Sequence, residues 1–168
     1  VEVDNDAQGE LYTEVCRRME RAGVRQYEVS NFARPGFESV HNINYWEGGE
    51  YIGLGMAAHS HIAGERYWNA DTLVRYLGLM KDQGSARAGS EKLALAEQLV
   101  EAFLFGLRMN RGVDLGGLEL RFGLELPFAK KEALGTFMEM GLLEEAGTFI
   151  RATPRGRLLL DEIAARII

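Results

Sequence analysis

The chain is poor in cysteine: Cys16 is the only one among 168 residues. One thiol cannot form a disulfide framework. The sequence also lacks a run of about 20 apolar residues, so neither a membrane span nor a secretory signal is predicted. These absences favour a protein of the reducing cytoplasm, with Cys16 as a small apolar residue buried on a helix.

Basic residues are also scarce, since 19 Lys and Arg stand against 25 Asp and Glu and give a net charge of −6. A surface that binds nucleic-acid phosphates is basic, so this balance argues against one. Hydrophobic residues make up 46% of the chain, which is enough to bury a core. The length fits one compact domain, or one domain with part of another.

The segment 41–46 concentrates residue types that commonly bind ligands: histidine, asparagine and aromatic residues. It follows the turn signal Arg34-Pro35-Gly36. We predict that it lies in a long irregular loop over residues 33–50, and loops of that length usually bind something. An imidazole, two amides and two aromatic rings can hold a planar molecule that carries a metal and polar edges. The alternative is a structural loop with a surface histidine. The segment reads His41-Asn42-Ile43-Asn44-Tyr45-Trp46.

The first part of the chain alternates helix and strand signals. Apolar spacing predicts a helix over residues 6–22 and a strand over 24–29, which is the repeating unit of an α/β barrel. Barrel chemistry collects where strands end, so Glu28, Ser30 and Asn31 are candidates for the mouth of a site. The alternative is that Ser30 and Asn31 are ordinary turn residues.

Shorter elements are predicted over residues 51–82. We expect a strand at 51–56, a hairpin at 61–68 and a helix at 71–82, with Asn69 as its N-cap and its apolar stripe in the core. Gly53 and Gly55 mark either a close backbone approach or a bulge. His59 and His61 would point the same way from a strand, but a third metal ligand is not evident nearby.

The second part of the chain is predicted to be mainly helical. Residues 84–89, with the sequence GSARAG, are interpreted as a linker at a domain boundary, and Ser90 as the N-cap of a helix that reaches Met109. Helices at 115–122 and 128–140, strands at 142–144 and 148–151, and a helix from Pro154 indicate a winged-helix arrangement. Its second helix carries Lys130 and Lys131, but acidic residues on the same helix partly cancel their charge. Such a helix would bind phosphates weakly, so no nucleic-acid partner is predicted.

Four phrases in fixed order carry a family resemblance. The sequence QYEVSNFARPG at residues 26–36 is followed by HNINYW at 41–46, YIGLG at 51–55 and AHS at 58–60. Together they resemble the oxygen-independent coproporphyrinogen III oxidase-like proteins of the radical S-adenosylmethionine superfamily. The HNINYW phrase is similar to that of the haem chaperone (HemW) branch. Residues 153–158, TPRGRL, resemble the closing helix of the family.

The resemblance implies a fold and a domain division. Residues 1–84 would be the C-terminal portion of a partial, TIM-like radical SAM barrel, and residues 90–168 a mainly α, winged-helix-like HemN C-terminal domain. The chain departs from the family in one respect: the three cysteines spaced CxxxCxxC that hold a [4Fe-4S] cluster are absent. Together with the start at Val1, this predicts a C-terminal fragment that is inactive by itself and whose partner is the missing N-terminal barrel half.

The resemblance also implies a ligand. Haem or a porphyrin would be bound by His41, Asn42, Tyr45 and Trp46, with His41 as the ligand of the haem iron. The cofactors of the longer parent would be the cluster and S-adenosylmethionine, and an acceptor protein would receive the haem. Arg34, Arg66 and Arg75 are the arginines nearest in sequence that could meet the propionates. Two alternatives stay open: a coproporphyrinogen III dehydrogenase, and a structural module without its own ligand. A dimer of the fragment is a further expectation.

Overall fold

The computed structural model describes residues 5–167 and shows mixed helix and sheet. The helices are α1 (Asn5–Arg21), α2 (Val40–Trp46), α3 (Leu73–Gln83), α4 (Leu95–Gly106), α5 (Leu115–Phe122), α6 (Phe128–Glu139), α7 (Pro154–Arg157) and α8 (Leu160–Ile167). The strands are β1 (Arg25–Gln26), β2 (Phe32–Ala33), β3 (His59–Ile62), β4 (Glu65–Asn69), β5 (Arg87–Lys92), β6 (Val113–Asp114), β7 (Leu143–Ala146) and β8 (Phe149–Ala152).

The strands form three small antiparallel sheets. Strands β1 and β2 pair alone, β3, β4 and β5 form a second sheet in that order, and β6, β8 and β7 form a third. Within residues 5–167 the strands do not close into a barrel. The part of the chain that the structure describes therefore has mixed helix and sheet, as expected, while the barrel portion stays a prediction.

The core lies around α4 in the second half of the chain. Leu99 and Phe103 of α4 are completely buried. They belong to one cluster with side chains from α6, from the β7–β8 hairpin and from α8. Burying such a side chain contributes roughly 1.5–3 kcal/mol, so this cluster is the main source of stability that the described residues show. Its members beyond α4 include Leu134, Phe137, Leu143, Ile150, Ile163 and Ile167.

From residue 115 onward, the predicted helices and strands begin within one residue of their observed positions, although the last predicted helix is divided into α7 and α8. Helix α5 begins where the Asp114 carboxylate accepts a hydrogen bond from Gly117 N at 3.1 Å, and it ends at Gly123 with φ of 63°. Helix α7 begins at Pro154, with Thr153 Oγ1 accepting from Gly156 N at 3.0 Å. These capping bonds satisfy backbone groups that a helix end leaves free.

The prediction of an irregular loop at 33–50 is wrong for its central part, because residues 40–46 form helix α2. Ser39 is its N-cap and accepts a hydrogen bond from Asn42 N at 3.3 Å. Asparagine and aromatic residues have low intrinsic helix propensity, so sequence pattern alone disfavours this helix. Contacts with α4 stabilise it instead, as described below.

The linker prediction at 84–89 is also wrong in its local structure. Residues 87–92 form strand β5, which pairs with β4 from Arg87 opposite Asn69 to Lys92 opposite Glu65. Ser90 lies in this strand, and the following helix begins only at Leu95, with Ala94 N donating to the Glu97 carboxylate at 2.8 Å. A polar edge strand has little hydrophobic alternation, so its sequence is typical of a loop. The division into 1–84 and 90–168 stays a prediction.

Three smaller predictions in the first half need correction. Residues 51–56 form no strand, although Tyr51 makes an isolated bridge with His61. Helix α3 is preceded by Thr72, while Asn69 lies in β4 and donates to Gly55 O at 2.8 Å. The apolar stripe of α3 is exposed rather than in the core, with Leu77 56% exposed.

Other predictions for this half hold. The hairpin is confirmed: β3 and β4 meet at Ala63 and Gly64, both with positive φ, as in a two-residue turn. A side chain at Gly53 would collide with the His59 carbonyl, so this glycine does mark a close backbone approach.

No helix among residues 5–167 is long and apolar enough to cross a membrane. Cys16 is a free thiol on α1 and is half-buried rather than fully buried. Its Sγ lies 3.7 Å from Gln26 Oε1, so it has a polar neighbour as well as apolar ones.

Candidate functional site

Helix α2 is held against α4 by its last residue, Trp46. The indole ring of Trp46 meets the ring of Phe105 edge to face, with centroids 6.1 Å apart. The guanidinium of Arg108 lies 5.5 Å from the Trp46 ring, within the range of a cation–π contact. Arg108 also bonds to Asp161 of α8 at 2.9 Å, so the position of Trp46 is tied to the C-terminal helices.

A cavity of about 410 Å³ opens beside α2. That volume falls within the range of small-molecule sites. Helix α2 and the turn after it form one side, while the β3–β4 hairpin and α4 form the other. The lining residues are Asn42, Tyr45, Trp46, Gly48, Gly49, Tyr51, His61, Arg66, Glu101 and Phe105.

Four rings follow one another from the surface of α2 into the cavity, and the last three of them line it. The rings of His41 and Tyr45 have centroids 4.7 Å apart, those of Tyr45 and Tyr51 are 4.4 Å apart, and those of Tyr51 and His61 are 6.2 Å apart. His41 is exposed and does not line the cavity itself; it stands one helical turn before Tyr45 at the rim. We call this series of rings the ring row.

The charged groups of the cavity are Arg66 and Glu101. Arg66 bonds to Glu101 at 2.9 Å and to Glu91 at 3.2 Å, which connects β4 to both β5 and α4. Burial raises the pKa of Tyr51 above its usual value, and the neighbouring Tyr45 raises it further, so the phenol stays protonated at neutral pH. The cavity thus has mainly aromatic walls and one guanidinium.

The structure brings together three of the four predicted ligand-binding residues: Asn42, Tyr45 and Trp46 line the cavity, and His41 lies beside them. Asn44, by contrast, donates to Glu50 O at 3.0 Å and orients the turn that follows α2. Of the three arginines considered, Arg66 lines the cavity, whereas Arg34 and Arg75 do not.

The predicted barrel-mouth residues form a separate local cluster. Glu28 is completely buried, and its carboxylate accepts hydrogen bonds from Ser30 N at 3.1 Å and from the side chain of Asn31. The two acceptor oxygens of Glu28 are therefore engaged within its own turn. These three residues are not among those that line the cavity.

The chain does not offer the ligands of an iron–sulfur cluster. It has one cysteine, and residues 5–167 contain no group of three or more His, Cys, Asp or Glu side chains that could hold a metal ion. His59 and His61 do lie on the same side of β3, but they have no third partner of this kind. A cluster therefore does not fit this chain.

Sequence reasoning missed four lining side chains, those of Tyr51, His61, Glu101 and Phe105, and the two lining glycines, Gly48 and Gly49. Tyr51 stands in a segment that the pattern assigned to a strand, and α4 looked like a fully buried helix. Glu101 could have indicated the cavity face of α4. A charged residue in a mostly apolar helix marks a face that lies outside the core.

Residues 93–159 match the HemN C-terminal domain family. The haem chaperone HemW of Bacillus subtilis is 32% identical over 158 residues, which cover 94% of this chain and 42% of that protein. HemW of Mycobacterium tuberculosis (strain CDC 1551 / Oshkosh) is 33% identical over 165 residues, with coverages of 98% and 40%.

A solved structure has a similar fold. Coproporphyrinogen III oxidase (HemN) of Escherichia coli, described as a radical SAM enzyme, superposes with a TM-score of 0.74 at 20% identity, covering 92% of this chain and 39% of that one. The chain spans about two fifths of the curated relatives' length. Residues 93–159 thus match the HemN C-terminal domain, and over nearly its whole length the chain is similar to oxygen-independent coproporphyrinogen III oxidase-like proteins of the HemW branch.

Proposed function

We propose that this chain is the haem-handling part of a haem chaperone, which binds haem at the cavity beside α2 and delivers it to an acceptor protein. The observation that carries the proposal is the position of the HNINYW segment, which forms α2 and supplies three lining residues of one aromatic cavity. Two relatives that match nearly the whole chain, from Bacillus subtilis and Mycobacterium tuberculosis, are named haem chaperones.

The residues of the cavity suit a tetrapyrrole. Tyr45, Trp46, Tyr51 and Phe105 provide flat apolar surface for the macrocycle. Arg66 provides a guanidinium, which would bind a propionate in a fixed geometry by exchanging its bond to Glu91 or Glu101. His41, exposed at the rim, offers the axial nitrogen to iron, because a neutral imidazole is a common haem ligand.

The proposal is tested by titrating the chain with haemin and following the Soret absorption, for wild type and for His41→Ala. We expect saturable binding with one haemin per chain, and a loss of affinity of about ten-fold or more in the variant. Far-ultraviolet circular dichroism should not change, since His41 is exposed and outside the core.

His59→Ala is the matched control. His59 is also exposed, and it stacks near Trp68 at 5.9 Å instead of lying on the ring row. It should bind haemin as wild type does. Equal affinity of wild type and His41→Ala would refute the assignment of His41, and absence of binding by every variant would refute haem binding by this chain.

A second candidate function for the full-length protein is that of an oxygen-independent coproporphyrinogen III dehydrogenase. The fold shared with HemN favours it, whereas the sequence relatives favour the chaperone. In either case we propose that the [4Fe-4S] cluster and S-adenosylmethionine bind to the part of the parent beyond this chain. Conversion of coproporphyrinogen to protoporphyrinogen by the full-length parent would favour the enzyme.

We further propose that residues 1–84 are part of a barrel completed by the rest of the parent. For the second half we propose a winged-helix arrangement, supported by the order of α5, α6 and the β7–β8 hairpin, with β6 as a third strand. A nucleic-acid role is not proposed, because Lys131 is already paired with Glu119 and Glu125. The free Cys16 thiol supports a cytoplasmic location.

A further inference from the structure

His61 is the histidine that lines the cavity itself. It lies in β3, where its backbone N and O both pair with Tyr51, each at 2.9 Å. The backbone on either side of the imidazole is thus fixed by β3–β4 pairing and by the Tyr51 bridge. Because Nδ1 of the ring also contacts Gly49 O, the side chain is pre-organised and has little freedom to lose on binding.

The hydrogen bonding of His61 determines which ring nitrogen is free. Its Nδ1 lies 3.2 Å from Gly49 O. A carbonyl oxygen can only accept, so Nδ1 must carry the proton. In the neutral ring Nε2 then holds the lone pair, and it has no hydrogen-bond partner among residues 5–167. Metal-binding histidines commonly show this pattern, with the second ring nitrogen donating to a backbone carbonyl.

Arg66 stands directly opposite His61 across the β3–β4 hairpin, and both line the cavity. Side chains opposite each other in an antiparallel pair lie on the same face of the sheet. One molecule could therefore place a metal at His61 and, by displacing Glu91 or Glu101, a carboxylate at Arg66. Haem carries both groups.

We infer that His61 Nε2 is a second ligand for haem iron, at the inner end of the ring row, separate from His41 at the rim. This inference rests on the proposed function. Tyr45 and Tyr51 stand between the two imidazoles. Transfer from rim to interior would break the bond from iron to His41 and form one to His61. Both ligands are neutral imidazoles, so the iron keeps its oxidation state and no other reactant is needed.

The test uses the whole chain, which has three histidines and hence three single variants: His41→Ala, His59→Ala and His61→Ala. Each is titrated with haemin, and the spin state of the bound iron is read from the absorption and electron paramagnetic resonance spectra. We expect His61→Ala to lower haemin affinity about ten-fold and to change the spectrum of the bound form. His59→Ala should match wild type in both measurements.

Two further measurements separate ligation from loss of packing. Metal-free protoporphyrin should bind His61→Ala and wild type with equal affinity, because it has no iron to coordinate. Added imidazole should restore the wild-type spectrum to His61→Ala. His61→Gln, whose amide can still donate to Gly49 O, should behave like His61→Ala with haemin.

The outcomes also distinguish this inference from the proposed function. Haemin binding that depends on His41 but has the same affinity and spectrum in His61→Ala would overturn the inference and leave the proposed function standing. A loss of protoporphyrin binding equal to the loss of haemin binding would also overturn it, since His61 would then act through packing. If no variant and no wild-type sample binds haemin, both fail.

Discussion

The two halves of the chain differ in how they are stabilised. Among the residues that the structure describes, the buried members of the cluster all come from Leu99 onward, and the first half adds only Val29 at its edge. The first half instead exposes large apolar side chains on α1, α2 and α3 and around residues 52–56, including Leu54 at 88%. The comparison shows that the second half has its own core, whereas the first half presents surface suited to burial against another body.

The strongest way to test this comparison is to remove one core side chain from the second half. Phe103→Ala should lower the free energy of unfolding by roughly 3–5 kcal/mol, because it leaves a cavity in a completely buried cluster. Leu77→Ala, on the exposed face of α3, should change it by no more than about 0.5 kcal/mol. Urea denaturation followed by circular dichroism measures both, and equal effects would contradict the difference between the halves.

The exposed face of α3 leads to the next prediction. Replacing Leu73, Leu77 and Met80 with glutamine should reduce self-association of the chain, measured by size-exclusion chromatography with light scattering. The three side chains are each 42–59% exposed and recur at helical spacing, so they form one apolar face.

The control is a triple replacement of exposed apolar residues in the second half: Leu95, Leu120 and Met140. These lie on three different segments, and single exposed apolar residues are ordinary on protein surfaces. The control should associate as wild type does. Equal loss of association in both triple variants would show that general hydrophobicity, rather than α3, drives it.

The smallest expected effect concerns pH. Glu119 accepts a hydrogen bond from Leu126 N at 2.8 Å and pairs with Lys131 at 3.0 Å, and these contacts hold its pKa below the ordinary 4.5. A pKa lowered by folding adds stability above 4.5, and that stability is lost as pH falls through the lowered value. Glu119→Gln should therefore be less stable than wild type at pH 7, and the difference should vanish on acidification.

Glu14→Gln, in the first half of the chain, is the control for Glu119→Gln. Hydrogen bonds from Arg17 and Arg18 lower the pKa of Glu14 too, but it is an exposed carboxylate on α1. Salt screens such pairs, so Glu14→Gln should leave the urea midpoint unchanged at about 0.15 M ionic strength. A larger pH-dependent change for Glu14 than for Glu119 would contradict this order.

The two halves also differ in how well sequence predicts them. In the second half the capping residues Asp114 and Thr153 and the helix-ending Gly123 act locally, so pattern and structure agree. In the first half α2 depends on the contact between Trp46 and Phe105, about 60 residues later in the chain. Strand β5 depends on pairing with β4. Long-range contacts of this kind cannot be derived from local propensity.

The candidate site shows the same limit. The segment from His41 to Trp46 stands out by its residue types alone, but its partners in the cavity come from three other elements. Arg66 was one of three arginines near it in sequence, and only the hairpin geometry singles it out. His61 could be recognised as a cavity residue only once β3 was placed beside the turn that follows α2.

Helix α4 serves both the core and the cavity. Phe103 points into the buried cluster, and Phe105, two residues later, lines the cavity from the other side of the helix. A molecule bound in the cavity therefore contacts α4, the same helix that carries Phe103 of the buried cluster. Ligand binding should stabilise α4 against local opening, so amide hydrogen exchange along this helix should slow when the cavity is filled.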